Sequence, residues 1–154
     1  MKAAATMVGR IRSALTHIEL SRASLSSAKQ NLMDAEILAR QPWSAADPYQ
    51  VVREANQRTL AKAASGSLSG AYTSIMDAGR SASNHGVARS KGGTALIAEL
   101  GSIAGGARTF SDMLLHPKSL GNLDAIRMID RSFNRLDDVI AGFQQLQLPR
   151  RAAG

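Results

Sequence analysis

The chain has 154 residues, of which 44 % are hydrophobic and 20 % are charged, so its composition excludes a disordered tail and a membrane protein. Lys and Arg number 19 against 12 Asp and Glu, a balance of +7 that favours nucleic acid, an acidic membrane surface or an acidic protein as partners. The absence of cysteine excludes disulfides, thiolate metal sites and cysteine catalysis.

The first predicted element is a long helix over residues 6–40. Large apolar residues recur along it at steps of three, four or seven, and Arg22 and Lys29 occupy two gaps in this stripe. We expect the helix to end before Pro42, which disfavours helical geometry in the preceding residue. The stripe predicts either one helix of a bundle or a helix that also packs against another subunit. On the second interpretation, the residues at the interface are Ile11, Leu15, Ile18, Leu25 and Leu32.

A second helix follows a short linker that contains Trp43, which we expect to pack over the end of the bundle. Asp47 is predicted to be the N-cap of this helix and Pro48 its first helical residue. Helical spacing continues through a stretch of small residues at 63–71, which favours one continuous helix over a loop at 65–70. The glycines in this stretch would allow another backbone to approach closely.

Residues 79–93 are predicted to form a basic linker, rich in Gly and Ser, between two helical halves at 1–78 and 94–154. The linker contains no acidic residue and no aromatic residue, so any contact with nucleic acid would be directed to the backbone and sensitive to salt. The alternative is that the positive charge serves only solubility. The candidate contacts for nucleic acid or another anion are Arg80, Arg89, Lys91, Arg150 and Arg151.

Two further helices are predicted in the C-terminal half. The third extends over residues 94–115, with Thr94 as its N-cap, and contains a second patch of Ala and Gly that would also permit close packing. The fourth begins at Ser119 or Asn122 as its cap and continues to about Gln147, with the strongest amphipathic pattern in the chain. Its apolar face supplies the remaining predicted interface residues, which are Phe133, Leu136, Ile140 and Phe143.

No motif for catalysis, metal binding or cofactor binding stands out. The three histidines, His17, His85 and His116, are isolated and lack the spacing of metal ligands. The serines are not placed in the glycine-flanked turn that presents a nucleophile. No apolar run approaches the roughly 18 residues that a membrane span needs. We therefore predict no catalytic, metal or cofactor-binding residues, no membrane span and no small-molecule substrate.

Two segments of the sequence resemble the small helical internal, ejected or connector-type proteins of short-tailed phage virions. The first is Val-Val-Arg-Glu-Ala-Asn-Gln-Arg at 51–58, followed by sequence rich in Ser and Gly. The second is Gly-Gly-Thr-Ala-Leu-Ile at 92–97, continuing to Ala-Gly-Gly-Ala at 104–107. The resemblance implies a structural component of a particle that is associated with a portal, tail or membrane. It assigns no functional residue.

These observations predict an all-α protein with four main helices arranged as an elongated bundle. The favoured function is a non-enzymatic structural or assembly protein that packs through its amphipathic helices into a homo-oligomer or a larger particle. Its expected location is the cytoplasm or a virion. The alternative is a nucleic-acid-binding accessory protein that contacts the backbone through its basic residues.

Overall fold

The structure, a computed structural model, describes residues 2–41, 48–83, 85–116 and 121–147, without the side chains of residues 2–6 and 85. The described residues form five helices and no strand, which confirms the prediction of an all-α fold. Four of the helices are long, and a short one lies within the predicted linker. In chain order they are α1 (Lys2–Arg40), α2 (Gln50–Ala82), α3 (His85–Arg89), α4 (Gly93–Leu114) and α5 (Asn122–Gln147).

The predicted start of α2 at Pro48 is wrong by two residues. The helix begins at Gln50, with Tyr49 in the N-cap position, and the Tyr49 carbonyl accepts a hydrogen bond from the Arg53 amide at 2.9 Å. Pro48 instead lies in the turn that precedes the helix. The predicted cap, Asp47, and the linker tryptophan lie outside the described residues.

The stretch of small residues in α2 is helical throughout, so the alternative of a loop at 65–70 is wrong. The predicted linker is also mostly helical. Its first residues complete α2 as far as Ala82, and five of those that follow form α3. Small side chains are compatible with an uninterrupted helix here because packing against neighbouring helices compensates their weak intrinsic propensity.

The predicted caps of the last two helices are also revised. Thr94 lies inside α4, and its Oγ1 donates to the Ala88 carbonyl at 2.8 Å, while Gly92 takes the N-cap position in the left-handed region at φ 95°. Asn122 is the first residue of α5 rather than its cap, because the Asp124 amide donates to the Gly121 carbonyl at 3.1 Å. The other predicted cap, Ser119, lies outside the described residues.

The buried face of α1 alternates large and small residues at steps of three and four. The predicted stripe contained the large residues and treated positions 22 and 29 as gaps. Ser21 and Ala28 fill those gaps, and Arg22 and Lys29 lie beside the stripe, half-buried. This heptad spacing is typical of coiled-coil packing, and the small residues let a neighbouring helix approach closely. The full set of buried positions is Ile11, Ala14, Ile18, Ser21, Leu25, Ala28, Leu32 and Ala35.

α2 packs against α1 in the antiparallel direction. Ser13 Oγ lies 3.2 Å from Ser81 Oγ, and Ser27 Oγ lies 3.3 Å from Ser67 Oγ. The residue number rises by 14 along α1 and falls by 14 along α2 between these two contacts, so the register is constant over four turns. The buried face of α2 has the same heptad spacing as that of α1, with Ala64, Leu68, Ala71, Ile75, Ala78 and Ala82.

The four long helices form a closed ring, in which α1 packs against α2, α2 against α4, α4 against α5 and α5 against α1. One hydrophobic cluster contains buried residues from all five helices, so the predicted halves at 1–78 and 94–154 do not have separate cores. With 39 residues, α1 extends for about 58 Å at 1.5 Å per residue. None of the described helices is long and apolar enough to cross a lipid bilayer.

Candidate functional site

The predicted interface residues lie in the core of the chain itself. Three of the nine are only partly buried and pack against the core, namely Leu15, Phe133 and Ile140. The other six are fully buried, namely Ile11, Ile18, Leu25, Leu32, Leu136 and Phe143. A side chain with no accessible surface in a single folded chain already contacts its own helices and cannot also contact a partner. These six side chains therefore hold the bundle together, and an assembly contact cannot use them.

Most glycines of the two patches do not provide the close helix contact that the sequence predicted. A Cβ atom built at Gly66, Gly105 or Gly106 meets no atom within 4 Å, whereas one built at Gly70 would lie 3.6 Å from Ser24 Oγ of α1, an ordinary van der Waals contact. Alanine and serine at buried positions occupy the contact faces instead, because a single small side chain excludes water and still lets two backbones approach.

α2 and α4 approach each other closely where Ser65 meets Ser111. The Ser65 hydroxyl donates to the Ser111 carbonyl at 2.8 Å, and the Ser111 hydroxyl donates to the Ser65 carbonyl, also at 2.8 Å. The two bonds are reciprocal, because each serine donates its single hydroxyl proton to the backbone carbonyl of the other. Both residues are buried, and the pair satisfies groups that would otherwise cost about 1–3 kcal/mol each.

Exposed large apolar side chains concentrate at one end of the bundle, where α1 and α4 end and α2 and α5 begin. Seven of the eight such side chains in the described residues lie there, and Leu20 is the exception. We call this surface the apolar end. It consists of Met33, Ile37, Tyr49, Val51, Val52, Leu115 and Leu123.

The apolar end is exposed because α4 ends before it reaches the level of the first turns of α2 and so does not cover them. Ser65 contacts Ser111 only three residues before α4 ends at Leu114, so the antiparallel α2 extends past the end of α4. Consistent with this, α2 has no buried residue before Ala64. A groove of about 410 Å³ lies between α1 and α2 in this region. Its lining is half apolar and half polar, with Ile37, Leu38, Leu60, Asp34, Asn56 and Thr59.

Exposed cations gather at the opposite end of the bundle. The described parts of the chain that meet there are residues 7–14, 79–83, 86–98 and 139–147, which contain five cations, with Asp77, Glu99 and Asp138 within two residues of these ranges. Three of these cations are the predicted linker residues, and the fold adds two arginines from α1. We call this surface the basic end. It consists of Arg10, Arg12, Arg80, Arg89 and Lys91, all of which are exposed.

α3 holds the linker cations beside the start of α1. Val87 is fully buried in the core and anchors the short helix. A Cβ atom at Gly86 would lie 3.3 Å from the Cβ of Met7, so α3 and α1 are in direct contact. The Ser90 hydroxyl donates to the Val87 carbonyl at 2.7 Å and closes the turn that follows Arg89. The cations of the linker are therefore attached to a folded element.

Away from the basic end, ion pairs connect neighbouring helices. Arg22 lies 2.9 Å from Asp137, and Lys29 lies 2.7 Å from Asp130. Both contacts join α1 to α5. These two cations interrupted the predicted stripe, and the structure gives them a role in helix pairing. Arg135 of α5 likewise pairs with Glu99 of α4.

The cations of the basic end are mostly without such partners. Arg80 alone lies within 4.0 Å of a described carboxylate, that of Asp77 at 3.2 Å on the same helix. Arg10, Arg12, Arg89 and Lys91 form no ion pair with the described residues. Their positive charge is available to a partner. The remaining predicted contacts, Arg150 and Arg151, lie outside the described residues.

The described residues contain no group of three or more His, Asp or Glu side chains arranged to hold a metal ion. The arrangement that they do offer is a bundle with two chemically different ends. Comparison with known protein families, with curated proteins and with solved structures found no match to this chain.

Proposed function

We propose that this protein is a non-enzymatic assembly protein, an elongated helical bundle that associates through its apolar end. The observation that supports this proposal is the position of the exposed large apolar side chains: of the eight among the described residues, seven lie at that one end. Exposed apolar residues scattered singly need no explanation, but their concentration at one place is typical of contact surfaces. Covering them would release water from apolar area and favour association.

The partner that this surface fits is a second copy of the chain. Residues 33–40 of α1 and 50–62 of α2 surround the apolar end with three acidic and four basic residues. Two copies related by a two-fold axis can bring such mixed charges into complementary positions. The basic end cannot pair with itself in this way, because five like charges would repel each other. Contact through the apolar ends leaves both basic ends facing outwards.

A larger particle would be built by the same kind of contact between different subunits. The resemblance of residues 50–107 to internal or connector-type proteins of short-tailed phages fits such a role, and a location in a virion stays a prediction. The apolar end lies partly within this segment, at Val51 and Val52. The proposal therefore gives a role in association to the exposed apolar residues of this segment, which do not contribute to the core.

The test compares two substitutions at equally exposed positions. Val52 belongs to the apolar end and Leu20 lies outside it, and each side chain is 54 % exposed. The mass of Val52→Asp and Leu20→Asp would be measured by light scattering coupled to size exclusion, over a range of protein concentration at low and high salt. We expect the parent and Leu20→Asp to self-associate at both salt concentrations, and Val52→Asp to shift towards the monomer.

Circular dichroism of the variants controls for folding, since neither position contributes to the core. Two results would overturn the proposal. One is a parent that stays monomeric at every concentration tested. The other is a Val52→Asp variant that associates as strongly as Leu20→Asp.

A further inference from the structure

We propose that the basic end binds the phosphate backbone of nucleic acid without reading its sequence. The proposal is independent of association through the apolar end, because it uses the opposite surface. It depends on a juxtaposition that only the fold creates. Arg10 and Arg12 of α1 are brought to the same end of the bundle as Arg89 and Lys91, which lie more than 70 positions later in the chain.

Helix stability does not account for these charges. Lys91 directly precedes Gly92, the N-cap of α4, and the helix dipole disfavours a cation at that position. Arg10 and Arg12 lie in the first third of α1, whose first turn contains no acidic residue. Four of the five cations form no ion pair with a described carboxylate, and like charges collected at one end repel one another. An anionic partner relieves that repulsion.

The chemistry of the basic end favours phosphate over other anions. Four of its five cations are arginines, and the planar guanidinium group donates paired hydrogen bonds to phosphate oxygens.

A membrane surface fits this end less well than nucleic acid does. Peripheral membrane binding generally combines basic residues with apolar side chains that enter the headgroup region. All but one of the exposed large apolar side chains of the described residues lie at the apolar end, and the exception, Leu20, lies between the two ends. The cations at the basic end therefore have no apolar anchor beside them.

The surface is suited to backbone contacts only. Its described segments contain one aromatic residue, Phe143, which is fully buried and cannot stack on a base. Arginine and lysine contacts to phosphate position a protein on the duplex but carry no sequence information. Binding should therefore be similar for duplexes of different sequence and should weaken steeply as salt rises. Five phosphate contacts correspond to a slope of about −4.5 in log affinity against log salt.

The experiment measures fluorescence anisotropy of a labelled, mixed-sequence DNA duplex with the full chain at several salt concentrations. Two double variants remove charge from the basic end, Arg10→Ala with Arg12→Ala and Arg89→Ala with Lys91→Ala. The matched control is Arg108→Ala with Arg131→Ala. The control removes the same charge from two exposed residues elsewhere that form no ion pair with described residues.

We expect each basic-end variant to bind at least about tenfold more weakly at low salt, with a salt slope that is smaller by about two. The control should stay within about threefold of the parent, since it changes only the long-range field. Circular dichroism checks that every variant remains folded. All four substituted residues of the basic end are exposed, so the core is untouched.

Four results would overturn the proposal. They are no binding to the duplex at low salt, an affinity that does not depend on salt, an equal loss in the control variant, and tighter binding to vesicles of anionic phospholipid than to the duplex. The last result would assign the surface to a membrane. Equal loss in the control would mean that net charge alone attracts the duplex.

Discussion

The two ends of the bundle differ in how the chain closes over the core. At the basic end, α3 and the turn at Gly92 cover the core, and Val87 of α3 is itself fully buried. At the apolar end, α2 extends past α4, and large apolar side chains remain exposed. With this short helix in place, none of the exposed large apolar side chains of the described residues lies at that end. The same core then supports two surfaces of opposite chemistry.

The largest expected effect comes from breaking the core that both ends share. Leu136→Ala should lower the free energy of unfolding by about 2–5 kcal/mol, because the fully buried side chain leaves a cavity between α5 and its neighbours. Leu123→Ala is the control, since Leu123 lies on the same helix and is 40 % exposed. Urea unfolding followed by circular dichroism should give a much smaller loss there. Equal losses would contradict the assignment of the core.

A second substitution should loosen the basic end alone. A Cβ atom at Gly93 would lie 1.9 Å from the Val87 carbonyl oxygen, so Gly93→Ala forces α3 and α4 apart and should cost about 1–3 kcal/mol. Gly101→Ala places its methyl group in open space and should be neutral, or stabilise by up to about 1 kcal/mol.

Amide hydrogen exchange locates the effect of Gly93→Ala. Exchange should become faster in α3 and stay unchanged in the first turns of α2, at the other end of the bundle. Faster exchange at both ends would show that the two ends are not structurally independent.

The contact between Ser65 and Ser111 marks the point beyond which α2 extends past α4. Each alanine substitution should cost about 1 kcal/mol, because it leaves one buried group without its hydrogen bond. A double-mutant cycle should show coupling, since the two hydroxyl oxygens also lie 3.0 Å apart and either substitution removes that contact. Thr73→Ala, at an exposed position whose hydroxyl bonds within its own helix, is the control. Strictly additive losses at the two serines would argue against an interaction between the two hydroxyls.

The smallest expected effect separates structural cations from those of the basic end. Arg22→Ala should lower stability by less than about 1 kcal/mol, and less still at high salt, because its pair with Asp137 is partly exposed. Arg12→Ala should leave stability unchanged and weaken binding to the duplex. A reversal of these two outcomes, measured by urea unfolding and by anisotropy, would mean that the cations are wrongly assigned.

The fold class and the large residues of the core could be predicted from the sequence. Residues such as Ile18, Leu25 and Leu136 recur at helical spacing and contrast strongly with their polar neighbours. The small residues of the core could not be predicted in the same way. Ser21 and Ala28 are fully buried, yet they have little hydropathy contrast with exposed serines and alanines elsewhere. Only packing against α2 distinguishes them.

The candidate surfaces were harder to predict, since each depends on which helix ends meet. The linker cations Arg80, Arg89 and Lys91 are close in sequence and were found as a group. Arg10 and Arg12 were missed, because nothing local in the sequence connects them to that group. The apolar end was missed for a related reason. The exposure of Val52 results from the end of α4 at Leu114, which is 62 positions away.

The central claim is that the two ends act separately, the apolar end in association and the basic end in binding phosphate. The measurement that tests it most directly is sedimentation velocity of the parent, Val52→Asp, and Arg89→Ala with Lys91→Ala, each with and without a labelled DNA duplex. The account predicts that Val52→Asp loses self-association and still binds the duplex. It predicts that the basic-end variant still self-associates and loses binding to the duplex. Loss of both properties in either variant, or retention of both in either, would contradict it.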